Sequence, residues 1–209
     1  MPLESLLILD RKILMAKKNK NKQHKMACAR QRKAAEEVGE IGLSLSDDIF
    51  TVGFVFEHLA ISQLTYLGIH SINELCRKYA GIDIAIFTQH MIPPCVVPTC
   101  PVFNTSRLIS WGNYPLITTS IGTTTEALIT NASKIYHYVF DLDFIDNKIL
   151  ALRNINSTFC DNRVEVITRH ESHKEVIERE FGIKVCDTII PDCNVDKLVR
   201  IAITETKNG

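Results

Sequence analysis

The sequence predicts an α/β fold with a mainly parallel sheet, preceded by a basic N-terminal extension. Three observations carry this. Short apolar runs are continuous rather than alternating, as in strands buried on both faces. Helix-forming segments separate those runs. A block of Lys and Arg precedes the first of them.

The extension comes first in the chain. Residues 11–34 carry ten Lys/Arg and no acid, so the rest holds 14 Lys/Arg against 24 Asp/Glu, a formal −10. A polar run such as KKNKNKQHK lacks the apolar surface to fold alone. It reads as a partly disordered arm over 1–47, with a short helix in MACARQRKAAEEVGEIG (26–42) stopped by Gly39 and Gly42. MAKKNKNKQHK from Met15 reads as a natural chain start, which would make residues 1–14 translated leader.

The domain spans 48–209. IFTVGFVF (49–56) is the first strand and HLAISQLTYLGI a helix. Ser71 is placed to cap a second helix, INELCRKYA, with Glu74 as capping-box partner and Gly81 as its end. IDIAIFTQ (82–89) is the second strand. Four prolines make 90–113 a long irregular loop, a kind of segment that often carries function. YPLITTS (114–120) is a strand, and IGTTTEALITNA opens a helix with Thr123 and Glu126 at capping-box spacing. KIYHYVFDLD (134–143) and RVEVITRH (163–170) are strands around a helix in DNKILALRNI. ESHKEVIEREFG sets Val176, Ile177 and Phe181 on one face and stops at Gly182. KVCDTIIP and VDKLVRIAI form the last strand and helix. Six strands joined through helices define a single Rossmann-like domain, with helices on both faces and right-handed crossovers.

The 209 residues, 45% hydrophobic and 23% charged, suit one domain plus an arm. No segment approaches the roughly 18 apolar residues of a membrane span, and no signal peptide is evident. The expectation is a cytoplasmic protein, or one of the host cytoplasm if viral. Seven scattered cysteines (28, 76, 95, 100, 160, 186 and 193), without C-x-x-C, read as free thiols rather than a zinc site. No cofactor is expected.

Ligands of such sheets bind outside the C-terminal strand ends. That directs attention to Glu57 and His58, to Gln89 and His90, to Ser120, Gly122, Thr123, Thr124 and Thr125, to Asp141 and Asp143, and to Arg169, His170, Glu171 and His173. His90 and His58 are the candidates for a general base, the alternative for His90 being a surface-loop histidine. The hydroxyls of IGTTTEAL suit a phosphate at a helix N-terminus, or plain capping. The D-x-D of Asp141 and Asp143 could bridge a divalent ion to a diphosphate or serve as loop residues; no metal is assigned. HESH offers two histidines at i, i+3 without a third ligand. Neither G-x-G-x-x-G nor G-x-x-x-x-G-K-[ST] occurs, which disfavours nicotinamide dehydrogenases and P-loop NTPases.

VITRHESHKEVIEREFGIKV followed by TIIPDCNVDKL, within Val164–Leu198, resembles glycosyltransferases built from two Rossmann-like domains, the GT-B fold. The matching passage closes their first domain. IPDCNVD stands where that family has IPNGVD, and VFEHLA follows the first strand in place of its glycine-rich loop. PLITTSIGTTTEALI and KIYHYVFDLDFI also look like short glycosyltransferase-like proteins of large phages. The resemblance implies transfer of a sugar from a nucleotide sugar to an acceptor. Arg169 or the Thr123–Thr125 turn would face the leaving diphosphate, and Gln89, Ser120, Gly122, Asp141 and His170 would line the ligand edge. The family's second domain, which holds the sugar nucleotide, has no counterpart in this sequence, so the resemblance leaves three expectations: a domain that works alone, one that pairs with a second chain, or a non-catalytic relative.

A rival reading makes the arm the working part. Lys17, Lys18, Lys20, Lys22 and Lys25 would contact nucleic acid through residues 11–34, with the α/β domain a non-catalytic scaffold. A solubilising tail or an accessory protein is the plainer version of the same charge pattern.

Overall fold

The computed structural model describes residues 49–79, 81–90, 92–143 and 157–208. The basic arm, the helix expected over 26–42 and the helix expected in DNKILALRNI lie outside them.

Seven strands form one wholly parallel sheet, β1 (Phe50–His58), β2 (Ile82–His90), β3 (Val102–Asn104), β4 (Leu116–Thr118), β5 (Ile135–Val139), β6 (Val164–Thr168) and β7 (Val185–Ile189). Their order is β3-β2-β1-β4-β5-β6-β7. The α-helices are α1 (Gln63–Lys78), α2 (Ile121–Leu128), α3 (Glu171–Phe181) and α4 (Val195–Asn208). This is the doubly wound Rossmann-like arrangement. Among the described residues no helix is long and apolar enough to cross a membrane.

The apolar runs became central strands because both of their faces are covered. On β1, Val52, Phe54 and Phe56 are buried on one side and Val55 on the other. Val55 belongs with Phe87, Leu108, Leu116, Ala127 and Ile135 to a core beneath α2. Val139, Val166, Ile177 and Val185 extend that layer under α3. The opposite layer is α1 with α4, tied where the Val195 N–H donates to Ser71 Oγ at 3.0 Å. Gly68 lets α1 approach the sheet: a Cβ there would stand 3.1 Å from the Phe56 ring.

Four expectations are corrected. There are seven strands rather than six, because β3 lies inside the Pro-rich stretch read as loop. It is three residues long, too short for periodicity to register. A 3₁₀ segment, Thr105–Ser110, follows it. The two helices expected between β1 and β2 are one, capped by Ser62. Ser71, mid-helix, serves the tertiary bond to Val195 rather than a cap. The cap of α2 is Ser120 with Thr123 as its N3 partner, not Thr123 with Glu126. Glu126 instead accepts from the Gln89 side chain. The stop at Gly182 stands as expected, with φ 65°.

Candidate functional site

After β3 the chain crosses to the far side of β1, so β1 and β4 are neighbours whose connections leave in opposite directions. Their C-terminal ends part, leaving the crevice where such sheets bind ligands. A cleft of about 510 Å³ occupies this place. β1 contributes Glu57 and His58, the end of β4 Thr119 and Ser120, and β5 with its extension His137, Asp141 and Asp143. Ser62 and Gln63 close it from the start of α1.

Two helices begin at this cleft, with matching caps. Ser62 Oγ and Ser120 Oγ accept the N3 amides of Thr65 and Thr123 at 3.1 and 3.2 Å. In return, each N3 threonine hydroxyl accepts the cap residue's own N–H, at 3.2 and 3.0 Å. The first amides of each helix, those of Gln63 and Leu64 and of Ile121 and Gly122, have no intrahelical partner by geometry. They are the donors that the cleft retains from its helix ends.

The acceptors are stronger. Glu57, Asp141 and Asp143 line the cleft, and no Lys or Arg does among the described residues. Among the described residues no group of three or more His, Cys, Asp or Glu is placed to hold a metal ion.

At the floor stands His137, 2% exposed in the middle of the wholly buried β5. Its Nδ1 lies 2.7 Å from Thr124 Oγ1. Thr124 Oγ1 also donates to the Ser120 carbonyl at 2.9 Å and meets Thr118 Oγ1 at 2.6 Å. Phe159 packs edge-on against the ring at 4.9 Å. Burial pushes the imidazole down to about 3, which keeps it neutral at physiological pH.

The residues singled out from sequence divide. His58, Ser120 and Asp141 share the cleft, with Glu57 and Asp143. His90 is the register partner of His58 across β1 and β2, on the side away from β4. Gln89 is engaged with Glu126, and its carbonyl accepts from Asn104 at 3.0 Å. Gly122 is exposed on the first turn of α2, whereas Thr123 and Thr124 are fully buried with their hydroxyls committed to the fold. Thr125 donates to the Ile121 carbonyl at 2.9 Å and meets Thr158 at 3.1 Å.

The end of β6 forms a separate polar group. Arg169 pairs with Asp192 at 3.1 Å and lies 4.2 Å over the Phe140 ring. His170 caps α3 without a side-chain bond and packs edge-on against His173 at 5.1 Å. Burial, then His170 and Arg169, hold His173 below the usual histidine range.

Sequence reading passed over Ser62, Gln63, Thr119 and His137. For His137 the one available signal was a polar residue inside the apolar run IYHYVF.

Fold and cleft together define a Rossmann-like α/β domain with a polar cleft at its switch point. No family model matches the chain, and no curated protein or solved structure shows a significant match.

Proposed function

We propose that this domain is the acceptor-binding half of a glycosyl-transfer system, using the switch-point cleft. The observation that carries the reading is the cleft's polarity. Three carboxylates, hydroxyls and two histidines line it, without Lys or Arg among the described residues. Such a surface accepts hydrogen bonds from a hydroxyl-rich neutral ligand and repels a diphosphate.

In this scheme the acceptor hydroxyl attacks the anomeric carbon of the donor sugar. The new C–O bond forms as the bond to the diphosphate breaks, and His58 takes the hydroxyl proton. His90 is beside His58 but outside the cleft lining, which makes His58 the preferred base. Among the described residues the charge leaving on the diphosphate has no cationic counterpart in the cleft. The nucleotide sugar is therefore assigned to a second chain or domain.

The resemblance to GT-B enzymes supports the reading at one further point. Asp192 and Cys193 adopt φ of 55° and 50°. They stand where the family carries Asn-Gly, the residue types that take left-handed backbone most readily. Left-handed backbone at these two positions is what the family's residue types there would suit.

The test is a titration of neutral methyl glycosides and of nucleotide sugars against the full chain, with NMR shift mapping. Glycosides are expected to shift His58, Ser120 and Asp141, and nucleotide sugars alone are expected to bind weakly. Shifts confined to the opposite strand edge, or tight binding of free diphosphates in the cleft, would refute the reading.

A further inference from the structure

We infer that His137 is a specificity-determining residue of the cleft, its Nε2 accepting a hydrogen bond from one hydroxyl of a neutral, sugar-like ligand. This rests on the cleft being the ligand site, and adds which atom recognises what.

Beneath α2 two hydroxyls meet, those of Thr118 and Thr124. Thr124 Oγ1 has one proton, and three groups lie within reach of it: the Ser120 carbonyl at 2.9 Å, Thr118 Oγ1 at 2.6 Å and His137 Nδ1 at 2.7 Å. Oγ1 stands in α-helical register with the carbonyl four residues back, the usual receiver of a helical threonine's proton. That carbonyl also takes the Thr124 N–H at 3.0 Å and the Thr123 hydroxyl at 2.9 Å; we assign it the Thr124 proton as well, which leaves Thr124 as acceptor. Thr118 and His137 then both donate to it, because the other acceptor available to Thr118, the Tyr136 carbonyl, is 3.5 Å away. The result is His137 protonated on Nδ1, with a lone pair on Nε2.

Nε2 has no hydrogen-bond partner among the described residues, and His137 lines the cleft. Nε2 is not sealed off from the cleft, and its lone pair takes the O–H that a ligand supplies. The ring is neutral, and it cannot offer positive charge to a phosphate. Glu57, Asp141 and Asp143 around the same space strengthen that discrimination. A hydroxyl donor fits the floor, and an anionic oxygen does not. Discrimination of this type rests on the hydroxyl itself, since an analogue lacking it leaves the acceptor without a ligand donor.

The experiment uses the full chain labelled with ¹⁵N and long-range proton–nitrogen correlation of its imidazoles, with a panel of methyl glycosides and their deoxy analogues as probes. His137 is expected as the Nδ1–H tautomer at pH 7. A binding glycoside should move Nε2 while Nδ1 stays, and the deoxy analogue lacking the recognised hydroxyl should bind at least about tenfold more weakly. Thr124→Val should mix the tautomers and weaken the glycoside to a similar extent. Should that variant fail to fold, the tautomer and the Nε2 shift in the unmodified chain decide alone. An Nε2–H tautomer overturns the inference. So does a glycoside that shifts His58 and Ser120 but leaves His137 Nε2 unmoved, an outcome under which the acceptor-site reading stands. Absence of binding by every glycoside overturns both.

Discussion

His137 makes the stability of the domain depend on acid in a calculable way. Its folded imidazole is held at about 3 by burial, against 6.5 when exposed. Above pH 6.5 neither state binds the proton and the residue has no pH effect. Below that, the unfolded chain takes up a proton that the folded one refuses, so stability falls with pH and goes on falling until about pH 3. Each pH unit in this window is worth about 1.4 kcal/mol, so moving from pH 7 to pH 5 costs about 2 kcal/mol from this side chain. That is a large share of the roughly 5–15 kcal/mol of a typical domain. Urea unfolding, followed by the fluorescence of the single tryptophan, Trp111, measures it. Other groups titrate over the same range, so the quantity to compare is the difference in slope between the unmodified chain and His137→Gln. Gln removes the titration and keeps a hydrogen-bonding group for Thr124. Equal pH dependence in the two proteins would show that the imidazole is not held neutral by the fold, and would remove the electrostatic part of the argument for hydroxyl recognition.

Two further outcomes are expected. Gly53→Ala puts a Cβ 2.5 Å from Leu116 Cδ2 and 3.1 Å from the Trp111 ring. Overpacking of about 1–3 kcal/mol, partly offset by about 0.4–1 kcal/mol from the stiffer unfolded chain, should lower stability by about 1–2 kcal/mol and alter Trp111 emission; an unchanged urea midpoint would contradict this packing. For the basic segment, retention on DNA or RNA should weaken steeply with salt. Replacing Lys17, Lys18, Lys20, Lys22 and Lys25 by Gln should flatten the log–log slope by about 0.9 for each phosphate of duplex DNA that is no longer neutralised; an unaltered slope would leave those lysines without a nucleic-acid role.

Several elements were legible because their cause is local. IFTVGFVF and IDIAIFTQ read as strands of a parallel sheet since their apolar residues run on without strict alternation, interrupted before the end only by Thr51 and Asp83. Gly182 read as a helix stop because only glycine takes φ 65° without strain, and nothing else in the fold is needed to explain it. The placement of Ser71 was not legible. Its spacing to Glu74 imitates a cap, and only the approach of α4 shows that its hydroxyl serves Val195 instead.

The candidate site divides along the same line. Which polar residues end the strands is written in the chain, since the apolar run stops where burial stops. His58, Ser120 and Asp141 were therefore identifiable. Which strand ends adjoin is a matter of sheet order, and β4 beside β1 with β3 at the far edge follows from long-range pairing that no local pattern encodes. That order sets Ser120 and Asp141 with His58 around one cleft and leaves Gln89 and His90 outside its lining. His137 depended on tertiary structure most of all. A histidine in mid-strand has one meaning when it faces solvent and another when a buried threonine holds one ring nitrogen and the residue lines a cleft. The sequence by itself determined an alternation of buried strands and helices, because burial period and capping chemistry are short-range. Packing decided which of its polar groups meet, because the meeting of residues far apart in the chain is set by the register of the whole sheet.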